Sequence, residues 1–225
     1  MGKRVEFSSD GHTCQGYCAV PESGHGPAIV VIQEWWGLVP HIEDLVERFA
    51  KEGFLAMAPD LYHGRTTTSP DEAGKMLMEL DAERAVSEIA GAGHYLLGHP
   101  ACSSKTYGVV GFCMGGALAK YAATKDPAVG AAVSFYGGFR KLEIDWSQLS
   151  GPIMLIAGGK DKGVPPAGEE ALSAAIRSAG KACTVHVYPD ADHAFFNDTR
   201  PAVHNAAAAS DAWQKTLTFF RENVK

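Results

Sequence analysis

Short, continuously apolar runs alternate along this chain with longer segments of helical period, and that alternation admits few folds. AIVVI (28–32) is followed by HIEDLVERFAKEG (41–53), whose apolar residues recur every three to four positions. FLAMAPD (54–60), TYGVVGF (106–112), GAAVSFYG (130–137), PIMLIAG (152–158) and TVHVYPD (184–190) continue the series. Helices are predicted near 115–124, 167–179 and 205–222. A run that is apolar at every position suits a strand covered on both faces, as in a mostly parallel sheet with helices on either side. Ahead of the series, residues 4–20 alternate apolar and polar positions around Asp10-Gly11, the pattern of an antiparallel hairpin at a sheet edge. The expected fold class is therefore α/β, in a single domain spanning 1–225. Ligands in such sheets bind beyond the carboxyl ends of the strands. Residues 62–72 (YHGRTTTSPDE) are polar and poorly periodic, and are expected to form a loop over a site there.

Charge narrows the partners. Twenty Lys and Arg stand against 26 Asp and Glu, a formal net charge of −6, with no concentrated basic run. Nucleic acid and anionic membrane surfaces are disfavoured, and a small molecule is the expected partner. No apolar run approaches the roughly 18 residues of a membrane span, and the N-terminal residues lack the apolar core of a signal peptide. The five cysteines are odd in number and lack paired metal spacings, which fits a reducing, cytoplasmic location. No metal or organic cofactor is expected, and the chain is taken as a monomer or small homo-oligomer.

The sharpest local signal is Gly111-Phe112-Cys113-Met114-Gly115-Gly116, between an apolar strand and the helical pattern ALAKYAA. A nucleophile placed at such a strand-to-helix turn sits in a strained backbone conformation, and glycines flank it because side chains there would strike the neighbouring strand and helix. An isolated cysteine is more often an inert, buried hydrophobe; the flanking glycines favour the nucleophile. GFCMGG matches neither dinucleotide nor P-loop spacing, and Gly158-Gly159-Lys160-Asp161 lacks the upstream glycine of a P-loop.

A nucleophile needs a base, and the base needs a group to orient it. Asp161 follows the strand PIMLIAG, and His193 follows TVHVYPD, 32 residues further on. The order nucleophile, acid, histidine is that of the α/β-hydrolases. Taken singly, Asp161 suits a turn, and His193 in PDADH suits a loop or a carboxylate-rich metal site. The other histidines lack an acid at a matching strand end. Glu34, after a fully apolar strand and before Trp35 and Trp36, is either a solvated charge or part of the site. Those tryptophans, with Phe135, Tyr136, Phe195 and Phe196 at other strand ends, could form an aromatic wall for a flat ligand or could be core.

Over nearly its whole length the sequence resembles the dienelactone hydrolases (carboxymethylenebutenolidases). The resemblance is carried by Gln33-Glu34-Trp35-Trp36-Gly37, Ala58-Pro59-Asp60-Leu61-Tyr62, GFCMGG, GGKDKGVP (158–165) and Asp192-His193-Ala194-Phe195. It implies a single-domain α/β-hydrolase fold with an eight-stranded sheet and no large cap. It also implies a triad of Cys113, His193 and Asp161 that opens an unsaturated lactone to a dicarboxylic acid. By the same resemblance Glu34 contacts the nucleophile and takes part in its activation, and the N–H groups of Trp35 and Met114 form the oxyanion hole.

The chain departs from the family where the substrate carboxylate is held. Of two arginines expected there, the position after the histidine is Asn197, with Arg200 nearby, and the region after PDLY offers Arg65. An amide does not replace a bidentate guanidinium. Trp36, Arg65, Tyr136, Phe195 and Asn197 are the expected substrate contacts, with Arg65 as the anion partner. A free thiol of pKa about 8.5 is only a few per cent thiolate at neutral pH, so activation by His193 and restraint by Glu34 both matter. Alkoxide expulsion by a thiolate is difficult, so activated or conjugated esters and lactones are the expected substrates. Two rivals stand beside the dienelactone: another ester handled by the same chemistry, and a non-catalytic ligand-binding or redox-sensing thiol protein.

Overall fold

The computed structural model describes residues 2–138 and 142–225. Strands β1 (Lys3–Ser9) and β2 (His12–Ala19) pair antiparallel across Asp10-Gly11. Both turn residues have positive φ, 46° and 77°, as a two-residue hairpin matching the strand twist requires. β2 continues antiparallel onto β4 (Leu55–Pro59). From there β3 (Gly26–Ile32), β5 (Cys102–Phe112), β6 (Val129–Phe135), β7 (Ile153–Gly158) and β8 (Cys183–Tyr188) run parallel. The result is one eight-stranded sheet ordered β1-β2-β4-β3-β5-β6-β7-β8.

Alternation along β3 explains why its apolar run is unbroken. Ala28, Val30 and Ile32 enter a core roofed by α2 (Pro70–Glu79), α3 (Ala82–Leu97), α4 (Met114–Lys125) and α5 (Pro166–Ser178). Ile29 and Val31 enter the opposite core, under α1 (Pro40–Lys51) and α6 (Ala206–Asn223). Residues 28–32 are all fully buried, and each large aliphatic side chain so placed contributes about 1.5–3 kcal/mol.

Two boundaries differ from expectation. β5 begins at Cys102, because its first five residues alternate in exposure and their polar side chains hide the strand from a search for apolar runs. The segment expected as loop over 62–72 ends at Ser69. There the Ser69 hydroxyl accepts from the Glu72 N–H at 3.5 Å and Pro70 occupies the first helical turn, so α2 starts early. No helix among the described residues is long and apolar enough to cross a membrane.

Candidate active site

The parallel register aligns the carboxyl ends of β3, β5, β6, β7 and β8, and the residues of interest lie just beyond them. Cys113 joins β5 to α4 with φ 56° and ψ −116°, a conformation that costs about 1–3 kcal/mol in a residue other than glycine. The glycines around it are steric necessities. A Cβ on Gly111 would lie 1.9 Å from the Gly115 carbonyl oxygen, and one on Gly115 would lie 2.5 Å from the carbonyls of Ile32 and Gln33. The turn thus wedges α4 against β3 and leaves Cys113 half-buried at its tip.

Asp161 and His193 come together from the loops after β7 and β8. Asp161 Oδ2 stands 2.6 Å from His193 Nδ1, and Asp161 Oδ1 accepts the N–H groups of Gly163 (2.8 Å) and Val164 (2.9 Å). Burial works to raise Asp161, but the His193 contact and these N–H donors outweigh it and hold the carboxyl below its usual range. For His193, burial favours the neutral ring. Asp161 and the adjacent Cys113 overcome that and raise it to about 10. The Tyr136 ring backs the imidazole, centroid to centroid 5.0 Å.

Glu34 is 1% exposed, and its Oε2 accepts from Asn197 Nδ2 at 2.8 Å. Burial pushes the Glu34 carboxyl up, against this hydrogen bond and the nearby charges of Arg200 and His193. Among the described residues no hydrogen bond joins Glu34 to Cys113; the hydrogen bond that Glu34 makes with its side chain is the one from Asn197. The backbone N–H groups of Trp35 and Met114 have no hydrogen-bond partner among the described residues. Met114 N–H opens α4, where the helix dipole favours negative charge. The Trp35-Trp36 loop is fixed from below: Thr67 N–H donates to the Trp36 carbonyl (3.1 Å), and Gly37, at φ 94°, lets the backbone at Arg65 approach.

These residues border a cavity of about 600 Å³, within the usual range of small-molecule sites. Glu34, Trp35, Trp36, Cys113, Asp161 and His193 all line it. Both tryptophans are half-buried, their rings edge to face at 4.9 Å. Four expected contacts lie elsewhere. Tyr136 and Phe195 are fully buried, packed on each other at 5.6 Å in the core behind His193, because strand-end aromatics fill the space under the loops. Asn197 sits behind the wall against Glu34. Arg65 faces a different pocket and pairs with Glu79 (2.7 Å) and Glu72 (3.5 Å), because α2 starts early and presents both carboxylates to it. The cations that border the cavity are Lys160, Lys162 and Arg200, the last with its guanidinium 5.5 Å from the Trp36 ring centre. Leu77 and Val203 also line the cavity, without any local signal in sequence, since their place depends on how α2 and the loop before α6 pack. No group of three His, Cys, Asp or Glu among the described residues is arranged to hold a metal ion.

A parallel sheet with a strained strand-to-helix turn and an acid–histidine pair beyond its later strands defines an α/β-hydrolase, here a carboxylic ester hydrolase. The model of the dienelactone hydrolase family matches residues 14–224, and the chain belongs to that family. It is 38% identical to Protein usf of Aquifex pyrophilus over 229 residues, covering 99% of each chain. It is 34% identical to the "Putative carboxymethylenebutenolidase" of Aquifex aeolicus over 232 residues, covering 100% of each. Among solved structures, the "Putative Dienelactone Hydrolase" of Klebsiella pneumoniae is similar at a TM-score of 0.87 and 28% identity, covering 98% of this chain and 99% of that one.

Proposed function

We propose that this chain hydrolyses a small activated ester or lactone through an acyl-Cys113 intermediate, with a carboxylated, conjugated lactone of the dienelactone type as the preferred substrate. The observation that carries the proposal is the Asp161–His193 contact of 2.6 Å, opening on Cys113 at a strained turn in a cavity of about 600 Å³. In acylation the Cys113 sulfur, its proton held by His193, attacks the carbonyl carbon, and the tetrahedral oxyanion accepts the N–H groups of Trp35 and Met114. Donors so placed are worth roughly 3–4 kcal/mol each in hydrolases. Collapse breaks the acyl–oxygen bond, and the leaving oxygen recovers the proton from His193. Water then attacks the thioester with His193 as base, releasing the acid and restoring the thiol. Asp161 holds the imidazole in the tautomer that both steps need.

A flat conjugated acid suits the Trp35-Trp36 wall, and Arg200 over Trp36 is the anion partner in place of Arg65. The test is the ultraviolet decay of 4-carboxymethylenebutenolide with wild type and Cys113→Ala. Decay with wild type alone supports both substrate and nucleophile. Decay with neither, while an activated aryl ester still acylates the wild type, moves the substrate to another ester. Silence with both compounds removes the hydrolytic proposal in favour of a binding or redox thiol.

A further inference from the structure

The loop after β8 contains a polar arrangement that the chemistry above does not use. Asn197 is 2% exposed and lies outside the cavity, yet its amide reaches Glu34 in the cavity wall. Thr199 decides which way that amide faces. The Thr199 backbone N–H can only donate, and it meets Asn197 Oδ1 at 3.1 Å; Thr199 Oγ1 lies 2.6 Å from the same oxygen. The NH₂ group is therefore the end that meets Glu34 Oε2. Between the two, Asp198 pairs with Arg48 and stands 3.4 Å from His41 Nδ1, both on α1, which ties the loop to that helix.

We propose that Asn197, oriented by Thr199, is a positioning residue that holds Glu34 by Oε2 and keeps Oε1 as the free carboxylate acceptor in the wall shared with Cys113 and His193. The proposal rests on the reading of Cys113 as nucleophile. A neutral amide restrains a carboxylate through one hydrogen bond without cancelling its charge, as a guanidinium would. The protonation of Glu34 then depends on that bond and on the groups facing it. These are Cys113 at the turn, Tyr136 after β6, Asp161 after β7, and His193 and Arg200 after β8. Removing a donor that favours the charged carboxylate moves its titration to higher pH, a change that loosened packing alone does not produce.

The test is hydrolysis of an activated aryl ester from pH 4 to 9 by wild type, Asn197→Leu, Thr199→Val and Thr199→Ser. In Asn197→Leu, kcat should fall roughly tenfold with KM within about twofold, and the acid limb should move up by about one pH unit. Thr199→Val keeps the backbone donor and should shift both in the same direction by about a third as much, while Thr199→Ser, which retains the hydroxyl, should match the wild type. Because Thr199 is exposed, Thr199→Val reports even if Asn197→Leu does not fold. An unchanged kcat and acid limb in Thr199→Val, or a change in KM alone, would overturn the positioning role. If the wild type gives no product burst that Cys113→Ala abolishes, the nucleophile assignment fails and takes this proposal with it. A normal burst with unshifted variants removes the positioning role and leaves the nucleophile standing.

Discussion

Asp161 meets His193 Nδ1 with one carboxylate oxygen while the other is tied down by the N–H groups of Gly163 and Val164. This division of the two oxygens makes Asp161→Asn a clean probe. The two N–H donors require the amide oxygen, so the NH₂ turns toward His193 and forces the proton onto Nε2, the nitrogen needed as base. A fall in kcat of roughly 10³–10⁴ is expected, with a folded protein and little change in KM. Steady-state kinetics beside a thermal melt check it; a kcat within tenfold of wild type would rule out the orienting role.

The same pair sets a pH dependence of stability. His193 has a folded-state value of about 10 against an ordinary value near 6.5. The folded chain binds this proton more tightly, so the stabilisation is complete below pH 6.5 and is lost as pH rises through about 10. Asp161, held low, has the opposite sense: its contribution is present above the usual carboxylate range and is lost as pH falls through its folded value. Urea denaturation of wild type and His193→Gln at pH 6, 8 and 10 should show their difference shrinking with rising pH. Cys113→Ala should shrink it less, since part of the shift comes from Cys113.

At the turn itself, Gly111→Ala should destabilise the protein by about 3 kcal/mol or more, because a Cβ 1.9 Å from a backbone oxygen meets atoms that cannot rotate away. Gly74→Ala inside α2 is the contrasting case. Nothing lies within 4 Å of its added Cβ, and a gain of about 0.5–1 kcal/mol is expected from helix propensity. Denaturation midpoints of the two variants should therefore move in opposite directions.

Arg200 and Arg65 make a second pair of opposites. Arg200 borders the cavity over Trp36 and forms no ion pair among the described residues, whereas Arg65 is engaged by Glu79 and Glu72 outside it. Arg200→Ala should raise KM for a carboxylated lactone about tenfold, the scale of one charge-assisted hydrogen bond, and leave a neutral aryl ester nearly unchanged. Arg65→Ala should leave both unchanged. A KM effect confined to Arg65→Ala would return the anion contact to the loop after β4.

The apolar runs, the Asp10-Gly11 turn and the glycines around Cys113 were legible in the sequence because each reflects a local constraint. Burial on both faces demands unbroken apolar strands, a tight hairpin demands positive φ, and a strained strand-to-helix turn excludes side chains beside it. Asp161 and His193 were legible for a related reason: the parallel register places whatever follows each strand at one edge of the sheet. Tertiary packing decided the rest. Arg65 and Arg200 are both exposed arginines in polar loops, and only the path of α2 and of the loop before α6 turns one toward Glu79 and the other toward Trp36. Likewise nothing local distinguishes Tyr136 or Phe195 from Trp36, yet the first two fill the core and the third lines the cavity. Asn197 finds Glu34 across 163 residues of sequence. A side chain's partner at that separation is set by the sum of the packing around it, which no window of the chain contains.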